Sequence, residues 1–221
     1  MTVPPALFDP VALARRRARA RALGPADFLH EAAAGELLER LAEVNRSFRD
    51  PAVIGPRAGV WASALARAGL PPPRVLPDAE TLDLREGAHD LVVHAMALHW
   101  ANDPVGQLVQ CRRALRPDGL FVAALLGGET LAALRAALAE AEAAETGGIS
   151  PRVAPMGDVR ALGDLLPRAG FALPVADSLR LDVDYADALA LMRDLRAMGE
   201  TNALAARMRR PTRRGVVARA A

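Results

Sequence analysis

The stretch from His89 to Leu125 constrains the fold of this chain most. Leu91–Val93 is a short, continuous apolar run with two β-branched residues, the pattern of a strand covered on both faces. Asp103-Pro104 is a helix start: a capping carboxylate, then proline at the first helical position. Val105, Leu108, Val109 and Leu115 follow at helical spacing and make one apolar stripe. Arg116-Pro117-Asp118-Gly119 reads as a turn, with proline presetting φ and Gly119 free to take φ > 0. Leu120 to Leu126 is a second apolar run. Strand, helix, strand in this order means two parallel neighbours joined by a crossover.

Composition narrows the class further. A chain of 221 residues is one domain or slightly more, with room for a sizeable core. Hydrophobic residues make up 52% but aromatics only 4%, so the core must be Ala, Leu and Val. All 28 basic residues are arginine and the net charge is only +2, which points to coding bias before it points to a polyanionic partner. The one cysteine, Cys111, excludes a disulfide framework and a zinc cluster. No apolar run approaches membrane-spanning length, and no signal-peptide core or transit-peptide pattern opens the chain, so the expected compartment is the cytoplasm.

Several motifs carry a family resemblance. Asp90-Leu91-Val92-Val93, Leu98-His99-Trp100 and Arg113 to Gly119 resemble the fourth strand, its following helix and the fifth strand of class I S-adenosylmethionine (SAM) methyltransferases. Leu126-Gly127-Gly128-Glu129-Thr130-Leu131, Ser150-Pro151-Arg152-Val153 and Arg196-Ala197-Met198-Gly199-Glu200-Thr201-Asn202-Ala203-Leu204 resemble one branch of that family. The branch holds the biotin-synthesis methyltransferase acting on malonyl-carrier protein and the methyltransferase-fold assembly factors of respiratory complex I. The resemblance implies a Rossmann-like α/β sandwich with an N-terminal helical lid (1–48) on a methyltransferase domain (49–221). It also implies SAM as cofactor and a small-molecule, carrier-protein or protein acceptor. Its alternative is a non-catalytic or non-methylating assembly factor, for instance an arginine hydroxylase, whose partner is a respiratory-complex subunit. Nucleic acid is the least favoured partner, since aromatics to stack bases are scarce.

In chain order, Asp9-Pro10 starts a first helix and Gly24-Pro25 closes it. Its run from Arg15 to Arg21 reads either as a solvated face or as a phosphate- or membrane-binding one. Asp27 opens a second helix with Leu29, Ala33, Leu37, Leu41 and Val44 in one stripe and His30 at the surface. Pro51 to Val60 stands where the resemblance places the first strand and the cofactor loop. Gly55, Arg57 and Gly59 are its candidate cofactor residues, although Ile54 occupies the position where the family carries an acid. A helix runs from Val60 to Ala68. Arg74-Val75-Leu76-Pro77-Asp78-Ala79 then resembles the family's third-strand motif, in which Asp78 and Ala79 face the adenine. The second strand and its helix are missing, which leaves no ribose acid; a plain polar turn is the other reading of Asp78 and Glu80.

Past the fourth strand, the resemblance gives His94 and Ala95 backbone to the cofactor and makes His99 a general base beside a substrate-facing Trp100. Both rings alternatively pack between strand and helix. Gly127-Gly128 makes a corner that the resemblance places on the substrate side, Thr130 caps a helix, and Glu140, Glu142 and Glu145 on it read as solvent residues. Arg152, Glu200 and Asn202 complete the substrate side, with helix capping as the alternative for the last two. Leu179 to Tyr185 alternates as an edge strand would. The chain stops before the family's last strand, so the expectation is a C-terminally incomplete sheet.

Overall fold

In the computed structural model, which describes residues 5–24 and 26–221, four strands form one sheet in the order β2-β1-β3-β4: β1 (Pro51–Ile54), β2 (Arg74–Leu76), β3 (His89–Ala95) and β4 (Leu115–Ala124). All three pairings are parallel. The expected α/β class with a shortened parallel sheet is what the chain forms. With no strand between them, β2 pairs directly with β1, Ala52 opposite Arg74 and Ile54 opposite Leu76.

β3 is buried along its whole length, as its unbroken apolar run requires. Its alternate residues serve two cores. Leu91, Val93 and Ala95 join Val53 in packing against α2 (Phe28–Glu43) and α3 (Ala58–Arg67) through Leu37, Leu41, Trp61 and Leu65. Val92 joins Ala52, Ile54, Leu76 and Leu82 around Cys111 of α4 (Pro104–Ala114). Asp103 caps α4 as expected, its carboxylate accepting from the Gly106 amide at 2.8 Å. A Cβ on Gly106 would collide with that carboxylate, so the cap and the glycine require each other.

The 116–119 segment departs from the expected turn. It lies inside β4 as a bulge: His89 pairs with Leu115 and Leu91 with Leu120, so four residues of β4 stand against Asp90 alone, an excess of three. Asp118, not Gly119, takes the left-handed conformation (φ 64°). Gly119 is required for a different reason, because a Cβ there would meet Leu115 at 2.8 Å.

The chain divides into two compact units. Residues 27–127 and 157–178 form the sheet unit, which also holds α6 (Val159–Gly163) and α7 (Leu165–Arg168). Residues 1–26, 128–156 and 179–221 form a helical unit of α1 (Pro10–Leu23), α5 (Ala132–Thr146), α8 (Ala188–Met198) and α9 (Arg214–Ala220). The two helices expected as one lid therefore fall in different units. Asp9 and Gly24 flank α1 as read, while Pro25 lies outside the described residues.

Three further expectations are corrected. Leu179 to Tyr185 forms no strand; among the described residues nothing offers it a ladder partner, and an extended segment without one gains no pairing energy. Thr130 does not cap α5, which begins after Leu131 in a left-handed conformation (φ 57°). His30 is buried, accepting the Trp61 indole N–H at its Nδ1 (3.0 Å). A tryptophan buried to 1% exposure needs such an acceptor, and α2 supplies it.

Candidate functional site

The carboxyl ends of β1, β2 and β3 gather Gly55, Asp78–Ala79 and His94–Ala95 at one edge of the sheet. Open parallel sheets bind ligands at this edge. Gly55 sits at φ 155° with its Cα against the Ala95 carbonyl; a side chain there would strike that oxygen and approach the Ala95 Cβ to 3.1 Å. This glycine is therefore set by strand packing. A Cβ at Gly59, in contrast, would meet nothing within 4 Å beyond its own helix. Gly59 lies in the first turn of α3, whose N-cap residue, Arg57, provides no side-chain cap. Arg57 instead pairs through Nε with Asp27 at 3.1 Å, tying the starts of α3 and α2 together.

The loop after β2 is held by two glutamines that sequence reasoning missed. Gln107 Nε2 donates to the Ala79 carbonyl (3.1 Å), and Gln110 Nε2 donates to the Glu80 carbonyl (2.9 Å) while its Oε1 accepts the Leu82 amide (2.8 Å). They stand three apart on α4, one turn of the same face. The available signal was two amides on a helix face that also carries buried Leu108 and Cys111.

Gln107 also fixes His94. Its amide nitrogen serves Ala79, so its Oε1 faces the imidazole and accepts from His94 Nε2 at 3.0 Å. His94 is therefore the Nε2–H tautomer, and its buried Nδ1 carries a lone pair with no partner. Burial holds its pKa below the ordinary histidine value, opposed by the Gln107 hydrogen bond and the Asp78 charge. Asp78 and His99 both act electrostatically on this ring, which puts the three in one neighbourhood.

His99 and Trp100 form a 3-10 turn with Leu98, their ring centroids 5.7 Å apart and tilted by 46°. Trp100 is buried and His99 half-buried. The Leu126 amide approaches His99 Nδ1 at 3.4 Å, which favours the proton on Nε2. Gly127 is packed, with the Gly157 carbonyl 3.0 Å from where its Cβ would be. Cys111 lies in the core, where burial pushes its thiol up to about 12, so it is no nucleophile.

The remaining expected residues belong to the helical unit. Gly128 is exposed, at φ 55°. Arg152 grips Glu142 with Nε and Nη2 (2.9 and 2.7 Å) and donates from Nη1 to Thr212 Oγ1 (2.9 Å). Glu142, read from sequence as a solvent residue, is fully buried and also accepts from the Ser150 amide and hydroxyl. The Arg152 guanidinium, first, and Ser150 hold the Glu142 carboxyl down to about 2. Asn202 accepts the Leu204 amide and donates to the Pro151 carbonyl (2.9 Å), and Glu200 is half-buried just past Gly199. Asp78, Ala79, His94, Ala95, Gly55 and Gly59 thus lie together on the sheet unit, whereas Gly128, Arg152, Glu200 and Asn202 lie on the helical one.

SAM, the cofactor that this fold family implies, can be tested against these residues. The open first turn of α3 suits a carboxylate, and Asp78 stands on a loop whose backbone is fixed. Buried Ile54 contributes no acid at the position where the resemblance expects one. The residues fit the methionine and adenine ends of the cofactor.

Comparison with known proteins bears on the family of the chain. Residues 53–123 match the family model described as a methyltransferase domain. The chain is 44% identical over 133 residues to "Arginine-hydroxylase NDUFAF5, mitochondrial" of Homo sapiens, covering 60% of this chain and 39% of that one. It is 42% identical over 138 residues to "Malonyl-[acyl-carrier protein] O-methyltransferase" of Laribacter hongkongensis, covering 62% and 44%. The matched part thus spans about two-fifths of these relatives' length. A solved SAM-dependent methyltransferase structure from Thermotoga maritima aligns at TM-score 0.44 and 18% identity, over 66% of this chain and 75% of that one. The resemblance read from the sequence, to this family and this branch, is borne out. No described helix is long and apolar enough to cross a membrane.

Proposed function

We propose, from the match of residues 53–123 to a methyltransferase-domain model and the similarity to a malonyl-carrier-protein methyltransferase, that the sheet unit binds SAM and passes its methyl group to a small-molecule, carrier-protein or protein acceptor. The observation that carries this reading is the Gln107 relay, which links the end of β3 at His94 to the adenine-side loop at Ala79. A loop fixed by amide hydrogen bonds needs no ordering when the cofactor arrives, which favours binding. SAM, when bound, supplies an already activated methyl group. The chain's own work is then positioning and exclusion of water. The α3 first turn receives the carboxylate, Asp78 accepts from the adenine amine, and backbone at His94 and Ala95 lines the site. His99 stands on the acceptor side. With Nδ1 facing the Leu126 amide it presents Nε2–H, so proton removal by His99 first requires a tautomer change.

The second reading, a methyltransferase-fold assembly factor for a respiratory-complex subunit, is favoured by one observation: Ile54, fully buried in the core, stands where an acid would hold the cofactor. Calorimetric titration of the folded chain with SAM separates the two. Micromolar binding, about 8 kcal/mol, is expected, and Asp78→Ala should weaken it about tenfold, the loss of one charge-assisted hydrogen bond. Unchanged affinity in Asp78→Ala removes Asp78 from the site. No heat at millimolar SAM moves the chain to the assembly-factor reading.

A further inference from the structure

The arginine run of α1 is not the uniformly solvated face that its composition allows. Arg16 and Arg17 are half-buried, whereas Arg15 is exposed. α1 packs against α8 so closely that a Cβ on Gly199 would lie 3.4 Å from the Arg17 Cα and 3.5 Å from the Ala20 Cβ. This packing takes Arg16 Nε out of water without giving it an acceptor. A buried donor on a charged group with no partner is costly.

The charges of three other guanidinium groups act on Arg16. Arg19 lies one turn further along α1, and Arg196 stands in the last turn of α8. Arg207 is brought in by a zipper at the start of α1: Asp9 N donates to Ala203 O (2.8 Å), Ala205 N donates to Leu7 O (2.9 Å), and Phe8 bridges Leu204. Arg207 is then locked by Asp9 Oδ2 (2.9 Å) and the Leu204 carbonyl (2.8 Å). The neighbouring carboxylate is already committed, since Asp9 caps α1 at the Ala12 amide and pairs with Arg207. Burial, then the charges of Arg19, Arg207 and Arg196, hold the Arg16 pKa below the ordinary arginine value.

We propose that Arg16, Arg19, Arg196 and Arg207 form a binding site for a phosphate-type oxyanion carried by a soluble ligand. A multiply charged oxyanion offers acceptors in the geometry that guanidinium forks match, and its charge offsets several cations at once.

The test is thermal melting and calorimetry of the full chain with inorganic pyrophosphate at constant ionic strength. Pyrophosphate at about 10 mM should raise the melting temperature by linkage. Arg16→Gln should melt about 2 °C higher than the parent without anion, because one cation leaves the cluster, and should bind pyrophosphate at least about tenfold more weakly. Arg16→Lys, which keeps the charge and loses the fork, should also bind more weakly. Arg15→Gln, which removes the same charge from the exposed side of α1, should bind as the parent does. Equal weakening by Arg15→Gln and Arg16→Gln would mean general charge attraction and overturn the site. So would the absence of any pyrophosphate effect, or co-sedimentation with phosphatidylglycerol vesicles that pyrophosphate does not reverse.

Discussion

The two units of this chain bury polar groups by different physics. In the sheet unit the buried polar side chains are met by neutral partners: Trp61 by His30, His94 by Gln107, and the Asp90 carboxylate by the Arg49 and Asp50 amides that lead into β1. In the helical unit they are met by charge: Glu142 with Arg152, and Asp9 with Arg207. The sheet unit can rely on neutral partners in its core because Leu91–Val93 of β3 packs into apolar clusters on both faces. The helical unit has no strand of the sheet, so its loops at Ser150–Arg152 and Ala203–Arg207 are anchored by ion pairs and caps. Salt and pH should therefore act on the two units differently.

The largest expected effect tests the apolar side. Leu91→Ala, at a fully buried strand position, should destabilise the sheet unit by about 3.5 kcal/mol. Denaturant unfolding should show this loss unchanged between low and high salt. A strongly salt-dependent loss would mean that charge also sets the stability of the sheet unit.

Glu142→Gln should cost about 3 kcal/mol, because it leaves Arg152 beside a neutral amide in a buried site. Hydrogen exchange should place that loss in 128–156 and around Thr212, sparing β1 and β3. The pH windows should differ as well. The Glu142 carboxyl is lowered in the folded chain from 4.5 to about 2, so its contribution is full above pH 4.5 and is lost as pH falls toward 2. His94 is lowered from 6.5 by burial, and its charged form is the protonated one. The unfolded chain therefore takes up the proton first, and the sheet unit should begin to lose stability as pH falls below 6.5. Exchange followed from pH 7.5 to 3.5 should see β3 loosen before α5. Loosening of both units at one pH would erase the distinction.

The smallest effect is the most informative about the site. Gln107→Ala should cost about 1.5 kcal/mol, leaving His94 Nε2 without its acceptor. It should also weaken SAM binding by freeing the loop at Ala79. Lost stability with unchanged SAM affinity would make the relay purely structural.

Much of the sheet unit was legible because its signals are local. The Asp103-Pro104 cap and the β3 run depend on neighbours within a few residues, and both stand where the sequence places them. The misread residues share one cause. Glu142 lies on a helix of small and acidic residues, where spacing says solvent; its burial depends on Arg152 and Ser150 arriving from the following loop. His30 depends on Trp61, thirty-one residues away. Leu179 to Tyr185 has the alternation of a strand, but alternation sets which face is apolar and does not supply the neighbour that a ladder needs.

The site divides along the same line. Gly55, Asp78, His94 and Ala95 were named from the family resemblance, and each stands at or just past the carboxyl end of a strand. Whether Arg152 and Asn202 face a ligand or hold a loop could not, since one arginine serves either end equally well in isolation. Sequence alone determined the parallel α/β sheet, its caps and the edge where a ligand would bind, because short-range sterics and the period of apolar residues encode them. Tertiary structure alone decided which charges are buried and paired, which imidazole is neutral, and which arginines of α1 crowd together. Those properties depend on distances between residues far apart in the chain, and no local pattern carries them.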